Sequence, residues 1–131
     1  MSDPSIVYVD TSALGALLVA QPESDALVGW LNGTSAELVS SDLLETELRR
    51  MAVREEREQA EVSVLLDGVS IAALDRAVFR SAGLLPMPYL RTLDALHLEA
   101  ALRLDVDALL TYDKRLEEAA RSVGLEVISP R

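Results

Sequence analysis

Five short apolar runs rich in β-branched residues recur along the chain: "SIVYV" at 5–9, "ELVS" at 37–40, "VSIAAL" at 69–74, "ALLTY" at 108–112 and "LEVIS" at 125–129. Between them, apolar positions repeat every three to four residues, the period of a helix with one buried face. These helical patterns are "SALGALLVA" with "SDALVGWLN", "DLLETELRRMAVREE" with "QAEVSVLLDG", "DRAVFRSAGLL", "TLDALHLEAALRL" and "KRLEEAARSVG". Strand and helix therefore alternate, which predicts an α/β fold with a mostly parallel sheet and helices on both faces, because parallel neighbours need a crossover long enough for a helix. Asn32-Gly33, Gly68, Gly83 and Gly124 stand where helical patterns run out, and Pro86 and Pro88 mark one irregular connection. No repeat, low-complexity tract or linker interrupts the pattern, so one domain over 1–131 is expected.

Composition narrows the classes. With half of its residues hydrophobic, the chain can bury roughly two-thirds of the surface its unfolded form exposes. It contains no cysteine, which removes disulfides, thiolate zinc sites and cysteine nucleophiles together. The first apolar run is too short for a signal peptide or a membrane span, so no membrane association and a cytoplasmic location are expected. Against 12 basic residues stand 22 acidic ones, a formal charge of −10, which argues against holding nucleic acid by a broad basic surface.

The acids become informative through their placement. In a parallel sheet each crossover helix begins near the carboxyl edge, where open α/β folds bind ligands. Asp10 ends the first strand pattern, Asp113 follows the fourth, Asp94 falls in the first turn of a helix that Thr92 is placed to cap, and Glu47 lies about one turn into the helix after the second strand. All four are expected at one edge. Taken singly, Asp10 and Asp113 are explained as cap or turn residues and Asp94 as a complement to the helix dipole. Glu47 is not so easily explained, because it shares the apolar stripe of Leu43, Leu44, Leu48 and Met51, where a carboxylate needs a partner. Glu45, about 200° around the helix, has a local role as the third residue of a capping box if Asp42 is the N-cap.

The sole histidine, His97, is read as a packed or supporting residue, since one imidazole without cysteine cannot complete a tetrahedral zinc site. Neither GxxxxGK[ST] nor GxGxxG occurs, and Ser12 has no histidine nearby in sequence to serve as its base. What remains is a set of hard oxygen donors of the kind that select Mg²⁺ or Mn²⁺. Phosphoryl transfer is the chemistry such a site serves best, because a divalent ion activates water and offsets phosphate charge.

Four blocks of the chain, "VYVDTSALGALL", "LVSSDLLETELRRMAVR", "LRTLDALHLEAALRL" and "ALLTYDKRLEEAARSVGLEVISP", resemble in order and spacing the signature blocks of PIN-domain ribonucleases, specifically VapC-type toxins of toxin–antitoxin pairs. The resemblance implies a PIN-like three-layer α/β/α domain and Mg²⁺- or Mn²⁺-dependent cleavage of RNA. It also implies a homodimer and a cognate VapB-type antitoxin that covers the acidic site. Block by block, it assigns metal binding and catalysis to Asp10, Glu47, Asp94 and Asp113, and an orienting role to Thr111 beside the last acid. Glu99 departs from the small or neutral residue of many relatives and is expected to be solvated. Arg49, Arg50, Arg54 and Arg57 on one long helix, Arg91, and Lys114-Arg115 are the cations available to RNA, while Glu45–Arg49 and Arg54–Glu58 have the spacing of surface pairs. Exposed apolar residues around Trp30 are a possible dimer face. Two other readings remain: a relative that binds metal without cleaving, and a receiver-type signalling module. The receiver fits poorly, because Asp10 is followed by Thr11 and no lysine follows the last strand.

Overall fold

The structure, a computed structural model, describes residues 3–131. Among them a five-stranded parallel sheet in the order β3-β2-β1-β4-β5 is built from β1 (Ile6–Val9), β2 (Glu37–Ser41), β3 (Ser70–Ala72), β4 (Ala108–Leu110) and β5 (Glu126–Ile128). The crossovers carry α1 (Thr11–Leu18), α2 (Ser24–Gly33), α3 (Asp42–Arg54), α4 (Gln59–Asp67), α5 (Arg76–Gly83), α6 (Thr92–Arg103) and α7 (Lys114–Ser122). Every predicted strand and helix is present. Receiver modules have the strand order 2-1-3-4-5, so this topology sets the signalling reading aside. No described helix is long and apolar enough to cross a membrane.

Two cores explain why both faces are covered. Val7, Val9, Ala108 and Leu110 point to one side with Leu14 of α1, Leu27 of α2, Leu44 and Leu48 of α3 and Val62 of α4. Tyr8 and Leu109, the alternate positions of the same strands, point to the other side with Leu98 and Ala101 of α6 and Leu116 and Ala120 of α7. Alternation along β1 and β4 thus feeds two apolar layers at once, as expected for strands buried on both faces.

The order reverses between β1 and β4. Chain growth runs outward through β2 and β3, then returns to the other side of β1 and continues through β4 and β5. The β1–β4 ladder pairs Val7 with Ala108, Tyr8 with Leu109 and Val9 with Leu110. At its amino end, Asp107 Oδ2 accepts the Ser5 and Ile6 amides at 2.9 Å, and at its carboxyl end the Asp10 amide donates to the Leu110 carbonyl at 3.2 Å.

Several local expectations are corrected. Arg91, not Thr92, is the N-cap of α6. α3 is capped at Ser41, so Asp42 is its first residue and Glu45 forms no capping box; Asp42 instead accepts the Leu74 amide, and Glu45 pairs with Arg49 at 2.8 Å. The capping box lies at α4, between Glu58 and Glu61. α3 stops at Arg54, and Arg57 beyond it pairs with Glu61, so the Arg54–Glu58 pair does not form. Glu99 is paired with Arg103 and its side chain is only 12% exposed. Trp30 is partly buried against the first core while Val28 beside it on α2 is exposed, and further exposed apolar residues, among them Phe79, Leu84, Tyr89 and Leu93, lie on α5, its connection to α6, and α6 itself.

Gly15 sets the approach of α1 to α3: a Cβ there would lie 2.7 Å from Met51 Cε and 3.0 Å from Sδ. Because the tip of a methionine moves easily, Gly15→Ala is expected to change stability by no more than about 1 kcal/mol, the helix-propensity gain offsetting the shift of Met51. Gly15→Leu has no such outlet and should cost about 1–3 kcal/mol or more by forcing the helices apart. Urea denaturation of the two variants checks this, and equal midpoints would contradict the packing described.

Candidate active site

Asp10 leaves β1 where the two halves of the sheet diverge, and its carboxylate caps α1. It is 4% exposed. Oδ1 accepts the Ala13 amide at 3.2 Å and the Ser12 hydroxyl at 2.8 Å, and Oδ2 accepts the Thr111 hydroxyl at 2.9 Å. Ser12 Oγ in turn accepts the Tyr112 amide at 2.9 Å, stitching the turn after β1 to the turn after β4. Burial raises the Asp10 carboxyl to about 6, although charge on His97, the Ser12 and Thr111 hydroxyls and the Ala13 amide all oppose the rise.

Thr111 is fully buried just past β4, where its hydroxyl also accepts the Asp113 amide at 3.0 Å. One hydroxyl therefore sets both Asp10 and the backbone that carries Asp113. Asp113 is the N-cap of α7, with Oδ1 accepting the Leu116 amide at 3.0 Å. The two aspartates thus do cap helices as local chemistry predicts, and they do so on either side of the switch point, where open α/β folds place ligands.

Glu47 reaches the same edge from α3. Its Oε1 accepts the Thr11 hydroxyl at 2.8 Å and lies 2.6 Å from His97 Nε2. Its side chain remains 26% exposed, at the margin of the apolar stripe whose centre is Leu44 and Leu48. Burial alone would raise its pKa, but the hydrogen bond from His97, the charge of that ring and the Thr11 hydroxyl together bring it below the ordinary glutamate value. Asp94, one turn before His97 on α6, is half-buried. Its carboxyl is raised by burial first and then by the charge of Asp113, with a further contribution from Glu47, while His97 and Arg91 act against the rise. Mutual repulsion of this kind places Asp94, Asp113 and Glu47 in one field.

The four acids expected from sequence, Asp10, Glu47, Asp94 and Asp113, therefore share one edge, with Thr111 between two of them. Among the described residues, no three histidine or carboxylate side chains stand in ligating geometry. Both oxygens of Asp10 and one each of Glu47 and Asp113 accept hydrogen bonds from protein donors. Asp94 and the second oxygens of Glu47 and Asp113 accept no bond from a described residue, and these are all hard donors. His97 is the packed, supporting residue expected from sequence. His97 is buried against Glu47, and its other nitrogen lies 2.8 Å from the Tyr8 hydroxyl, which is 2.9 Å from Ser41 Oγ. Ser12, Thr11 and Tyr8 went unmarked in sequence; Ser12 and Thr11 stand within two residues of Asp10, and only the fold shows which carboxylate each serves.

Cations flank the acids on two sides. Arg91, Lys114 and Arg115 line a depression with Asp113, and Arg50 and Arg54 line a groove with Thr11 and Glu47. Arg49 and Arg57, by contrast, are held by Glu45 and Glu61 on the surface.

Residues 7–122 match the PIN domain family model. Ribonuclease VapC35 of Mycobacterium tuberculosis is 43% identical over 137 residues, spanning 95% of this chain and 97% of its own length. Ribonuclease VapC47 of the same organism is 36% identical over 132 residues with the same coverage. In fold, the chain is similar to M. tuberculosis VapC20, described as a Sarcin-Ricin loop cleaving toxin, with a TM-score of 0.77 at 14% identity over 95% of this chain and 99% of that one. It is similar also to a toxin–antitoxin complex from Klebsiella pneumoniae, with a TM-score of 0.72 at 19% identity over 95% and 98% of the two chains. With the family model spanning the turns and helices that carry all four acids, and relatives matched over 95% of the chain, the chain belongs to the PIN domain family, among its VapC-type ribonucleases.

Proposed function

We propose that this protein is an endoribonuclease toxin that hydrolyses phosphodiester bonds of cellular RNA in the cytoplasm with the help of Mg²⁺ or Mn²⁺, and that a VapB-type antitoxin neutralises it. The observation that supports this best is the convergence of Asp10, Glu47, Asp94 and Asp113 on the switch-point edge of a chain so similar to named ribonucleases. The uncommitted donors there are carboxylate oxygens, which suit hard divalent ions, and Mg²⁺ commonly takes one or two carboxylates while keeping several waters. Asp10, Asp94 and Asp113 would hold the ion directly or through water, and Glu47 would complete the site. When bound, the ion would supply a more acidic water and offset charge developing on the phosphate.

The chain's own residues account for the rest. Thr111 holds Asp10 and the turn of Asp113 in register. Glu47 Oε2 and the carboxylate of Asp94 are acceptors free to orient the hydrogens of an attacking water. Arg91, Lys114 and Arg115 on one side and Arg50 and Arg54 on the other are placed to bind phosphates flanking the cut, which lets RNA approach a protein of net charge −10. On this reading, purified protein cuts structured RNA with Mg²⁺ or Mn²⁺ and stops with EDTA. Glu47→Gln lowers kcat by about 10²-fold or more and weakens Mn²⁺ binding, whereas Glu45→Gln loses only an exposed ion pair worth at most about 0.5 kcal/mol and cleaves like the parent. Undiminished cleavage in EDTA, or an active Glu47→Gln beside an inactive Glu45→Gln, would overturn it.

Asp10 also ties the site to stability. Its folded value near 6 lies above the 3.8 of an ordinary aspartate, so the folded state keeps a proton that the unfolded chain releases as pH rises between the two. Stability from this group is thus full below about pH 4 and is lost by about pH 6, a penalty on the order of 3 kcal/mol at neutral pH without metal. Asp10→Asn should be catalytically dead yet more stable than the parent in EDTA near pH 7, with the gap closing toward pH 4. Urea titrations at both pH values test the sign; a gap that widens on acidification would refute it.

For the partner, an acidic pocket is a natural target for an arginine- or lysine-bearing segment. Co-expression of the adjacent gene product is expected to relieve toxicity, and light scattering of the purified toxin is expected to give the mass of a homodimer. Toxicity that no neighbouring gene relieves would remove the antitoxin from the proposal and leave the nuclease standing.

A further inference from the structure

His97 and Tyr8 are polar groups inside a core, and the proposed reaction does not use them. His97 is 2% exposed and Tyr8 fully buried, yet every polar atom of both has a partner. The bonds form one continuous chain: Ser41 Oγ, the Tyr8 hydroxyl at 2.9 Å, His97 Nδ1 at 2.8 Å, then Nε2 and Glu47 Oε1 at 2.6 Å, with Thr11 Oγ1 closing on the same oxygen at 2.8 Å. The chain links α6, which packs on one face of the sheet, to α3, which packs on the other. A ring edge-on to Tyr8, with centroids 5.7 Å apart, has little freedom to turn.

The direction of the bonds follows from chemistry. An ionised carboxylate only accepts, so the ring nitrogen facing Glu47 carries a hydrogen. The Tyr8 hydroxyl accepts from Nδ1 when it donates to Ser41, and donates to Nδ1 when the Ser41 hydroxyl turns toward it. Both arrangements leave the Nε2 hydrogen on Glu47. With Oε1 taken by two donors, Oε2 is the oxygen left without a protein donor, and the carboxylate cannot swing to offer the other.

We propose that His97 is a positioning residue: its Nε2–H, backed by Tyr8 and Ser41, clamps Glu47 Oε1 and presents Oε2 alone to the acidic edge. The inference rests on Glu47 belonging to the active site. It assigns His97 no contact with RNA or with the reacting atoms.

The chain's lone histidine makes the test direct, because ¹⁵N-labelled protein gives a single imidazole signal. In the parent, Nε2 should carry a proton that exchanges slowly with water. His97→Leu, which fills the space without a donor, should lower kcat and weaken Mn²⁺ binding by about 10–100-fold, the usual effect of losing a group that orients a ligand, with KM for RNA unchanged. His97→Gln, whose amide nitrogen reaches a similar place, should recover most of both while circular dichroism shows each variant folded. A neutral ring protonated on Nδ1, a folded His97→Leu with parental kcat and Mn²⁺ affinity, or a His97→Gln as impaired as His97→Leu would each overturn the clamp. If the parent cuts no RNA, the nuclease reading falls, and the imidazole spectrum and Mn²⁺ titrations still decide the role of His97.

Discussion

The carboxylate of Asp10 is the group around which the structure is organised. It is an acid buried between β1 and β4, which is costly unless every lone pair is met. The donors that meet it come from two places far apart in sequence: Ser12 and Ala13 at the start of α1, and Thr111 at the end of β4. Only the register pairing Val9 with Leu110 brings them together. A slip of one residue would turn Thr111 to the other face and exchange the side chains of the two cores, since strand side chains alternate. Asp107 guards the opposite end of the same ladder by accepting the amides of Ser5 and Ile6.

From this constraint the rest of the edge follows. α1 and α7 are capped by Asp10 and Asp113, so the carboxylates that follow β1 and β4 start the next helices. α3 and α6 supply Glu47 and Asp94 from opposite layers, and His97 joins those layers through Glu47. The acids do not share one electrostatic fate. Burial alone raises Asp10, burial and the charge of Asp113 raise Asp94, and donors from His97 and Thr11 lower Glu47. Burial and opposed shifts set these carboxylates apart from a solvated acidic surface. The net charge of −10 is thus less informative than its distribution, with Arg91, Lys114, Arg115, Arg50 and Arg54 at the margins of the acids and Arg49 and Arg57 held by surface glutamates.

Much of this was legible in the chain itself. Strand and helix periods mark all the elements because each buries an apolar face, and period follows directly from backbone geometry. The placement of Asp10, Glu47, Asp94 and Asp113 at one edge follows from parallel connectivity, since every crossover returns the chain to the same end of the sheet. The exclusion of thiolate and nucleotide-loop chemistry needs only composition and motif. Local capping was read less well: Asp42 and Thr92 lie one residue inside their helices, because the identity of a cap depends on backbone torsions that neighbouring residues share.

What tertiary structure alone decided is which side chain serves which carboxylate. The strand order, and with it the switch point between β1 and β4, is a choice among pairings that periodicity leaves equivalent. His97 reads in sequence only as a packed or supporting residue; its partner Glu47 is 50 positions away, and no spacing rule spans that distance. Ser12 and Tyr8 acquire their roles in the same way, and Thr111, expected to orient a group beside the last acid, finds its partner Asp10 only with β1 and β4 in register. Local sequence determines each element and the end of the sheet at which each acid must lie, because those depend on near neighbours. The pairing of donors with acceptors depends on distances that exist only after the sheet has closed over Asp10.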